Sequence, residues 1–150
     1  MGNIFNTDFR DFIKALNENE VDYLLVGGYA VILHGHSRVT GDMDIWVNRT
    51  KTNYIRLQKA FYQFHMPVMD MTLDNFLNHE DWDVFRFGRK PVAIDIMTKM
   101  AGFDFEDCNK KAVFFNDDGL TIRVIHINQL LEAKKIAGRG KDMDDIKFLS

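Results

Sequence analysis

The chain has 150 residues and a mass of 17.5 kDa, with 46% hydrophobic residues, 27% charged residues and a formal net charge of −3. That length suits one domain over residues 1–150, and thirteen phenylalanines supply bulky core material, which excludes an intrinsically disordered chain. A mean hydropathy of −0.24, with no apolar run near the roughly 18 residues a span needs, excludes a membrane protein; the acidic balance excludes an overall basic field for nucleic acid.

The first residues, through Asp8, lack the basic and apolar regions of a secretory leader, and Thr7 falls one place late for a myristoylation signal at Gly2. The expected compartment is the cytoplasm. The single cysteine, Cys108, forms no internal disulfide, leaves no cysteine-based zinc site and reads as a small, partly buried side chain.

Along the chain, Phe9, Phe12, Ile13 and Leu16 recur at helical spacing behind the cap cluster Asn6-Thr7-Asp8, which predicts a helix over 8–18. Tyr23-Leu24-Leu25-Val26 is a short buried strand that ends in the tight turn Gly27-Gly28, and 29–34 is helical up to Gly35. A second strand covers 42–47, and a helix capped by Thr52 runs over 52–64. A short helix follows Thr72, and strands over 83–87 and 91–97 form a hairpin across Gly88-Arg89-Lys90. A helix over 103–111, strands near 113–115 and 120–125, and helices over 129–137 and 142–149 complete the chain. The fold class is α+β: a central mixed sheet with helices mainly on one face and a C-terminal helical pair.

Seventeen aspartates against five glutamates is a lopsided acid content, because aspartate suits caps, turns and metal sites better than helix interiors. Three Asp-x-Asp pairs occur. Asp142 and Asp144 sit at a helix start, where aspartate caps amides, and Asp81 and Asp83 read as solvated loop residues. Asp42 and Asp44 lie inside a strand pattern instead, so both carboxylates leave the same face while Met43, Ile45 and Val47 point into the core. Like charges held side by side repel, and a cation between them makes the pair tolerable. Asp95 interrupts an otherwise apolar strand, where an unpaired charge costs several kcal/mol, so it is paired, metal-bound or facing a cleft. If the two strands are neighbours, Asp42, Asp44 and Asp95 converge, and three carboxylates suit Mg²⁺. The other reading is an ion pair between Asp95 and an arginine such as Arg86 or Arg123.

Gly27-Gly28 precedes the acidic pair by fourteen residues. A strand ending in two glycines and entering a helix bares N–H groups, and phosphate approaches closely where no Cβ intervenes; a plain structural turn has the same sequence.

Taken together, Gly27-Gly28, then Arg38-x-Thr40-x-Asp42-Met43-Asp44, then Asp95 within Ile94-Asp95-Ile96, resemble the polymerase-β-type nucleotidyltransferase superfamily. The form is similar to its small stand-alone bacterial members, related to abortive-infection and toxin–antitoxin nucleotidyltransferases. The stretch from Leu130 to Asp145 resembles the basic helix-loop-helix ending of that branch. The resemblance implies that Asp42 and Asp44 hold two Mg²⁺ ions (or Mn²⁺) and that Asp95 binds the ion beside the incoming hydroxyl and helps to deprotonate it. It implies that Gly27, Gly28 and Thr40 lie in the phosphate pocket and that Arg38 and Lys134 neutralise the triphosphate, as such residues do in phosphoryl-transfer sites. Many relatives carry Gly-Ser where this chain has Gly27-Gly28, so one phosphate-binding hydroxyl is missing from that position.

Arg139 and Lys141 fit a triphosphate, a polyanionic acceptor or simple loop solubility. His34 and His36 have no cysteine nearby and read as surface histidines near the phosphate pocket rather than zinc ligands. Trp46 shares a face with Asp42 and Asp44, where it either stacks on a base or packs in the core.

The expected reaction is metal-dependent transfer of a nucleoside monophosphate from an NTP to an acceptor hydroxyl, with release of pyrophosphate. An RNA end suits a toxin-like member, with Arg38, Arg89, Lys90, Arg139 and Lys141 as a basic rim, and a partner protein's hydroxyl suits an antitoxin-like one. The setting is then toxin–antitoxin or phage defence, with a cognate toxin or antitoxin as partner. A small antibiotic suits the resistance enzymes, which usually bring an extra helical domain for which 150 residues leave no room. The rival readings are a non-catalytic nucleotide-binding or interaction module with the same fold, and carboxylates that merely form salt bridges.

Overall fold

A computed structural model of the chain describes residues 6–38, 40–79, 81–89 and 92–150, without the side chains of residues 89 and 92. The reading of the N-terminal leader region and of Lys90 and Pro91 in the hairpin lies outside the described residues.

Helix α1 (Thr7–Glu18) starts where Asn6 Oδ1 accepts from the Phe9 N–H at 2.9 Å, a cap worth about 1 kcal/mol. Its apolar stripe buries Phe9, Phe12, Ile13 and Leu16 completely. Strand β1 (Tyr23–Val26) is buried along its whole length and runs straight into α2 (Gly27–Leu33), so the two glycines open the helix rather than forming a separate turn before it. Strand β2 (Asp42–Val47) is followed by α3 (Lys51–Gln63). Thr50, not Thr52, caps α3: its hydroxyl oxygen accepts from the Asn53 N–H at 3.1 Å. The buried Asn53 amide then bonds both backbone groups of Asp22, which fixes where the helix begins.

The rest follows in order: α4 (Leu73–Asn78), β3 (Val84–Arg89), β4 (Val92–Met97), α5 (Phe105–Lys110), β5 (Val113–Asp117), β6 (Leu120–Val124), α6 (Ile127–Ala137) and α7 (Gly140–Leu149). Helix α5 is shorter than its sequence pattern because Asp104 caps it, accepting from the Asp107 N–H at 3.1 Å. Helix α6 closes on Gly138 at φ +65°, a left-handed conformation that glycine adopts without strain.

The six strands form one mixed sheet in the order β3-β4-β2-β1-β6-β5. Strand β2 is antiparallel to β1 and parallel to β4, which makes the two acid-bearing strands direct neighbours. Alternation and register divide the sheet into two faces. Leu25, Met43, Ile45, Ile94, Ile96 and Phe87 share the apolar one, which α1 and α3 cover through the edge-to-face series Phe12–Phe61–Phe87. Each such buried side chain contributes about 1.5–3 kcal/mol. The opposite face carries Asp42, Asp44, Trp46, Asp95 and Arg86, and the α6–α7 pair borders it. Among the described residues no helix is long and apolar enough to cross a membrane.

Candidate active site

Three side chains stand in a row across three strands. Asp44 on β2 is paired in register with Asp95 on β4, which is paired with Arg86 on β3. The register turns two separate sequence anomalies into one carboxylate cluster with Asp42 one pleat away. Asp44 is pushed up to about 7 by burial, then by the charges of Asp95 and Asp42, with Lys134 opposing. Proximity of like charges is thus written into the protonation of the middle acid.

Of the alternatives for Asp95, an ion pair with Arg86 is present. Arg86 Nε donates to Asp95 Oδ1 at 2.8 Å, and Nη2 donates to Asp95 Oδ2 at 2.9 Å and to Asp42 Oδ2 at 3.1 Å. The guanidinium is raised further by these bonds and by the carboxylate charges. Arg123 plays no part, since it bonds Asn109 and lies over the Phe114 ring. Among the described residues no group of three or more His, Cys, Asp or Glu side chains is placed to hold a metal ion. Asp42 Oδ1 is nevertheless buried with no hydrogen-bond partner among the described residues, an acceptor turned inward that wants a cation or a donor. Arg86 itself is 56% exposed at its side chain, so moving it off the acids returns its charge to water rather than stranding it.

Gly27 and Gly28 sit against this row. Gly27 has φ +69°, and a Cβ there would lie 2.1 Å from Asp44 Oδ2; a Cβ at Gly28 would lie 2.4 Å from Thr40 Oγ1. Both positions therefore need glycine for space, and Gly27 also needs it for its backbone. No side chain caps the start of α2. The two glycines line a cavity of about 290 Å³ with Arg38, Thr40, Asp42, Asp44, Lys134 and Lys141 among its walls. Every residue that the sequence assigned to phosphate binding meets in this one basic hollow beside the carboxylates.

The cations of the hollow are held by Asp142, the helix-start acid of the sequence analysis, and by Asp145. Lys134 is 5% exposed, not a solvated helix residue, and its Nζ contacts Asp142 Oδ1 at 3.1 Å and Asp145 Oδ2 at 3.2 Å. Asp145 also takes Arg38 Nε at 2.9 Å and His36 Nδ1 at 3.1 Å. Asp142 caps α7, accepting from the Arg139 N–H at 3.2 Å, and also from Arg139 Nε at 2.6 Å. Burial would raise Asp142, but the Arg139 and Lys134 bonds outweigh it and hold it at about 2. Asp145 is the residue that sequence reading missed. Its signal was the i, i+3 spacing from Asp142, which places both acids on the α7 face turned toward Lys134.

Other candidates go elsewhere. Trp46 is 2% exposed and packs edge-on against Phe105, so it is a core residue and no base stacks on it. His34 bonds the Ile125 carbonyl at 2.8 Å, and His36 stacks on Phe148 while facing Asp145, so the two histidines serve different neighbours. Of the proposed basic rim, Lys90 and the Arg89 side chain lie outside the described residues.

No family model matches the sequence, and no curated protein matches it either. Solved structures do match in fold. A Thermotoga maritima protein assigned to the nucleotidyltransferases, TM1012, superimposes with a TM-score of 0.60 at 15% identity, over 93% of this chain and 88% of that one. An antigenic nucleotidyltransferase-like protein of Paracoccidioides brasiliensis gives 0.58 at 13% identity, over 99% and 77%. The lincomycin-bound lincosamide antibiotic adenylyltransferase LnuA gives 0.53 at 19% identity, over 99% and 98%. That last coverage overturns the expectation that an antibiotic-modifying relative requires an extra helical domain. The chain has the nucleotidyltransferase fold that its resemblance to the polymerase-β-type superfamily implies.

Proposed function

We propose that the protein transfers a nucleoside monophosphate from an NTP to an acceptor hydroxyl and releases pyrophosphate. One observation carries the reading: Asp42, Asp44 and Asp95 gather on one sheet face beside a basic hollow floored by Gly27 and Gly28. The donor set is hard oxygen, with an unpartnered buried oxygen on Asp42 and a destabilised charge on Asp44, which fits Mg²⁺ or Mn²⁺ once Arg86 swings out. Held by these three acids, such ions would supply charge neutralisation at the reacting phosphate. The chain's own groups do the rest. Gly27 and Gly28 admit the β and γ phosphates to the backbone, Arg38, Thr40 and Lys134 hold and neutralise them, and Asp95 accepts the acceptor's proton. Catalysis is positioning and electrostatics in a polar site, with no covalent intermediate on the protein.

Three acceptor classes follow. An RNA end or a protein hydroxyl fits a toxin–antitoxin or phage-defence role with a cognate partner, and a small antibiotic fits the equal-length match with LnuA. The test incubates the protein with Mg²⁺ or Mn²⁺ and each labelled NTP against total RNA, the protein itself, a partner lysate and lincomycin. Label on one acceptor, lost in Asp44→Ala, supports the reading. No transfer to any acceptor, with Asp44→Ala indistinguishable from wild type, ends it.

The second reading is a non-catalytic nucleotide-binding module with the same fold, and the Arg86 ion pairs favour it, because they neutralise two of the three acids without any metal. NTP binding by calorimetry without pyrophosphate release decides for it.

A further inference from the structure

Next to the basic hollow lies a second cavity of about 260 Å³ whose chemistry is different. Its apolar walls are Val26 at the end of β1, Met97 and Met100 at and beyond the end of β4, and Leu130, Ala133 and Ala137 on α6. Gly27, Asp44, Lys134 and Arg139 line both cavities, so the two adjoin at the carboxylate row. A nucleoside triphosphate seated over Gly27 and Gly28 carries on its α end a nucleoside whose base has flat apolar faces. Burying that group gains most in an adjoining apolar cleft, and this cleft begins at Asp44.

We infer that the cleft holds the nucleoside of the NTP, and holds it by shape without reading the edge of the base, so that all four NTPs are accepted. The inference rests on the nucleotidyl-transfer reading above. Strong discrimination between bases requires fixed donors or acceptors, from side chain or backbone, that a wrong base leaves unpaired. Among the described residues that line the cleft, none has an amide or hydroxyl side chain. Of its charged residues, Lys134 and Arg139 both bond Asp142, and Asp44 belongs to the carboxylate row. The rest of the wall is two flexible thioethers and aliphatic groups, which adapt to either a purine or a pyrimidine ring.

The experiment measures binding of the four α,β-methylene NTPs and of inorganic tripolyphosphate, with Mg²⁺, to the full chain and to Ala133→Leu. Leucine is a good helix former, so the variant narrows the cleft without opposing α6. The four analogues should bind within about fivefold of one another, and Ala133→Leu should weaken all four by about tenfold or more while tripolyphosphate changes by less than about twofold. Unchanged analogue affinities in a variant whose tripolyphosphate binding and transfer activity persist would place the nucleoside elsewhere, overturning this inference and sparing the reaction. A preference of more than about thirtyfold for one base overturns it too, since that demands edge recognition. Failure of the wild type to bind either probe overturns both. Should Ala133→Leu not fold, Ala137→Leu at the exposed rim of the same cleft serves, with the same outcomes.

Discussion

Thr40 Oγ1 stands in the space that a side chain at residue 28 would enter: a Cβ on Gly28 would lie 2.4 Å from it and 2.8 Å from Thr40 Cβ. Under the proposed function, the hydroxyl missing from the Gly27-Gly28 pair would be offset by the Thr40 hydroxyl from the loop before β2. Gly28→Ser alone should destabilise the fold by about 1–3 kcal/mol through overpacking and weaken NTP binding. The double variant Gly28→Ser with Thr40→Ala should recover part of both, because it removes Oγ1 and keeps the Thr40 Cβ. Thermal melts and NTP titrations of the four proteins read the coupling; a double-variant loss equal to the sum of the two single losses would show that the two residues are independent.

Asp44 links stability to pH. Its carboxyl titrates at about 7 in the folded protein against 3.8 ordinarily, so between these values the folded state keeps a proton that the unfolded chain has released. Stability therefore falls as pH rises through that window, and the whole penalty stands above about pH 7. Asp44→Asn removes it. The variant should be more stable than wild type by about 2–4 kcal/mol at pH 8 and near parity at pH 4, by denaturant unfolding. A stability difference that does not change with pH would disprove the linkage.

Arg86 holds the oxygens that the proposed divalent ion would need, so the two would compete. Without Mg²⁺, Arg86→Ala leaves the acids to repel one another, and the melting temperature at pH 8 should fall by about 2–4 °C. Adding millimolar Mg²⁺ should then raise it more in the variant than in wild type, by ligand linkage. Identical Mg²⁺ responses in the two proteins, or none in either, would count against a cation site at the carboxylates.

Asp145 holds Arg38 and Lys134 and faces His36 while almost fully buried. Asp145→Asn keeps the shape and removes the charge, leaving Lys134 with Asp142 as its remaining carboxylate. A loss of about 3 kcal/mol is expected, the magnitude of breaking a buried ion pair. NTP affinity should drop as well, because Arg38 and Lys134 lose the group that aims them into the hollow. Calorimetry on the folded variant tests the second effect separately; unchanged affinity would make Asp145 purely structural.

Much of the fold is legible in the chain because its signals are local. The stripe Phe9, Phe12, Ile13, Leu16 specifies α1, and the apolar tetrad before Gly27 specifies β1, since periodicity and turn chemistry act over a few residues. Element ends are less legible: Thr50 and Thr52 are equally good caps in sequence, and the choice falls to Asn53, whose amide is held by Asp22 thirty-one residues away.

The same division runs through the candidate site. Asp42, Asp44 and Asp95 announce themselves, because charge inside a strand violates a local pattern that any reader of the sequence can see. Their meeting, and the pairing of Asp95 with Arg86, depends on β2 and β4 lying side by side. Lys134 and Asp145 carry no anomaly of their own on polar helical stretches, and only the packing of α6 against α7 buries them as a pair. Residue chemistry and short-range spacing belong to the sequence. Which charges become neighbours, and how far water is excluded from them, is decided by strand order and helix packing, since electrostatic energies depend on distance and burial that no local pattern encodes.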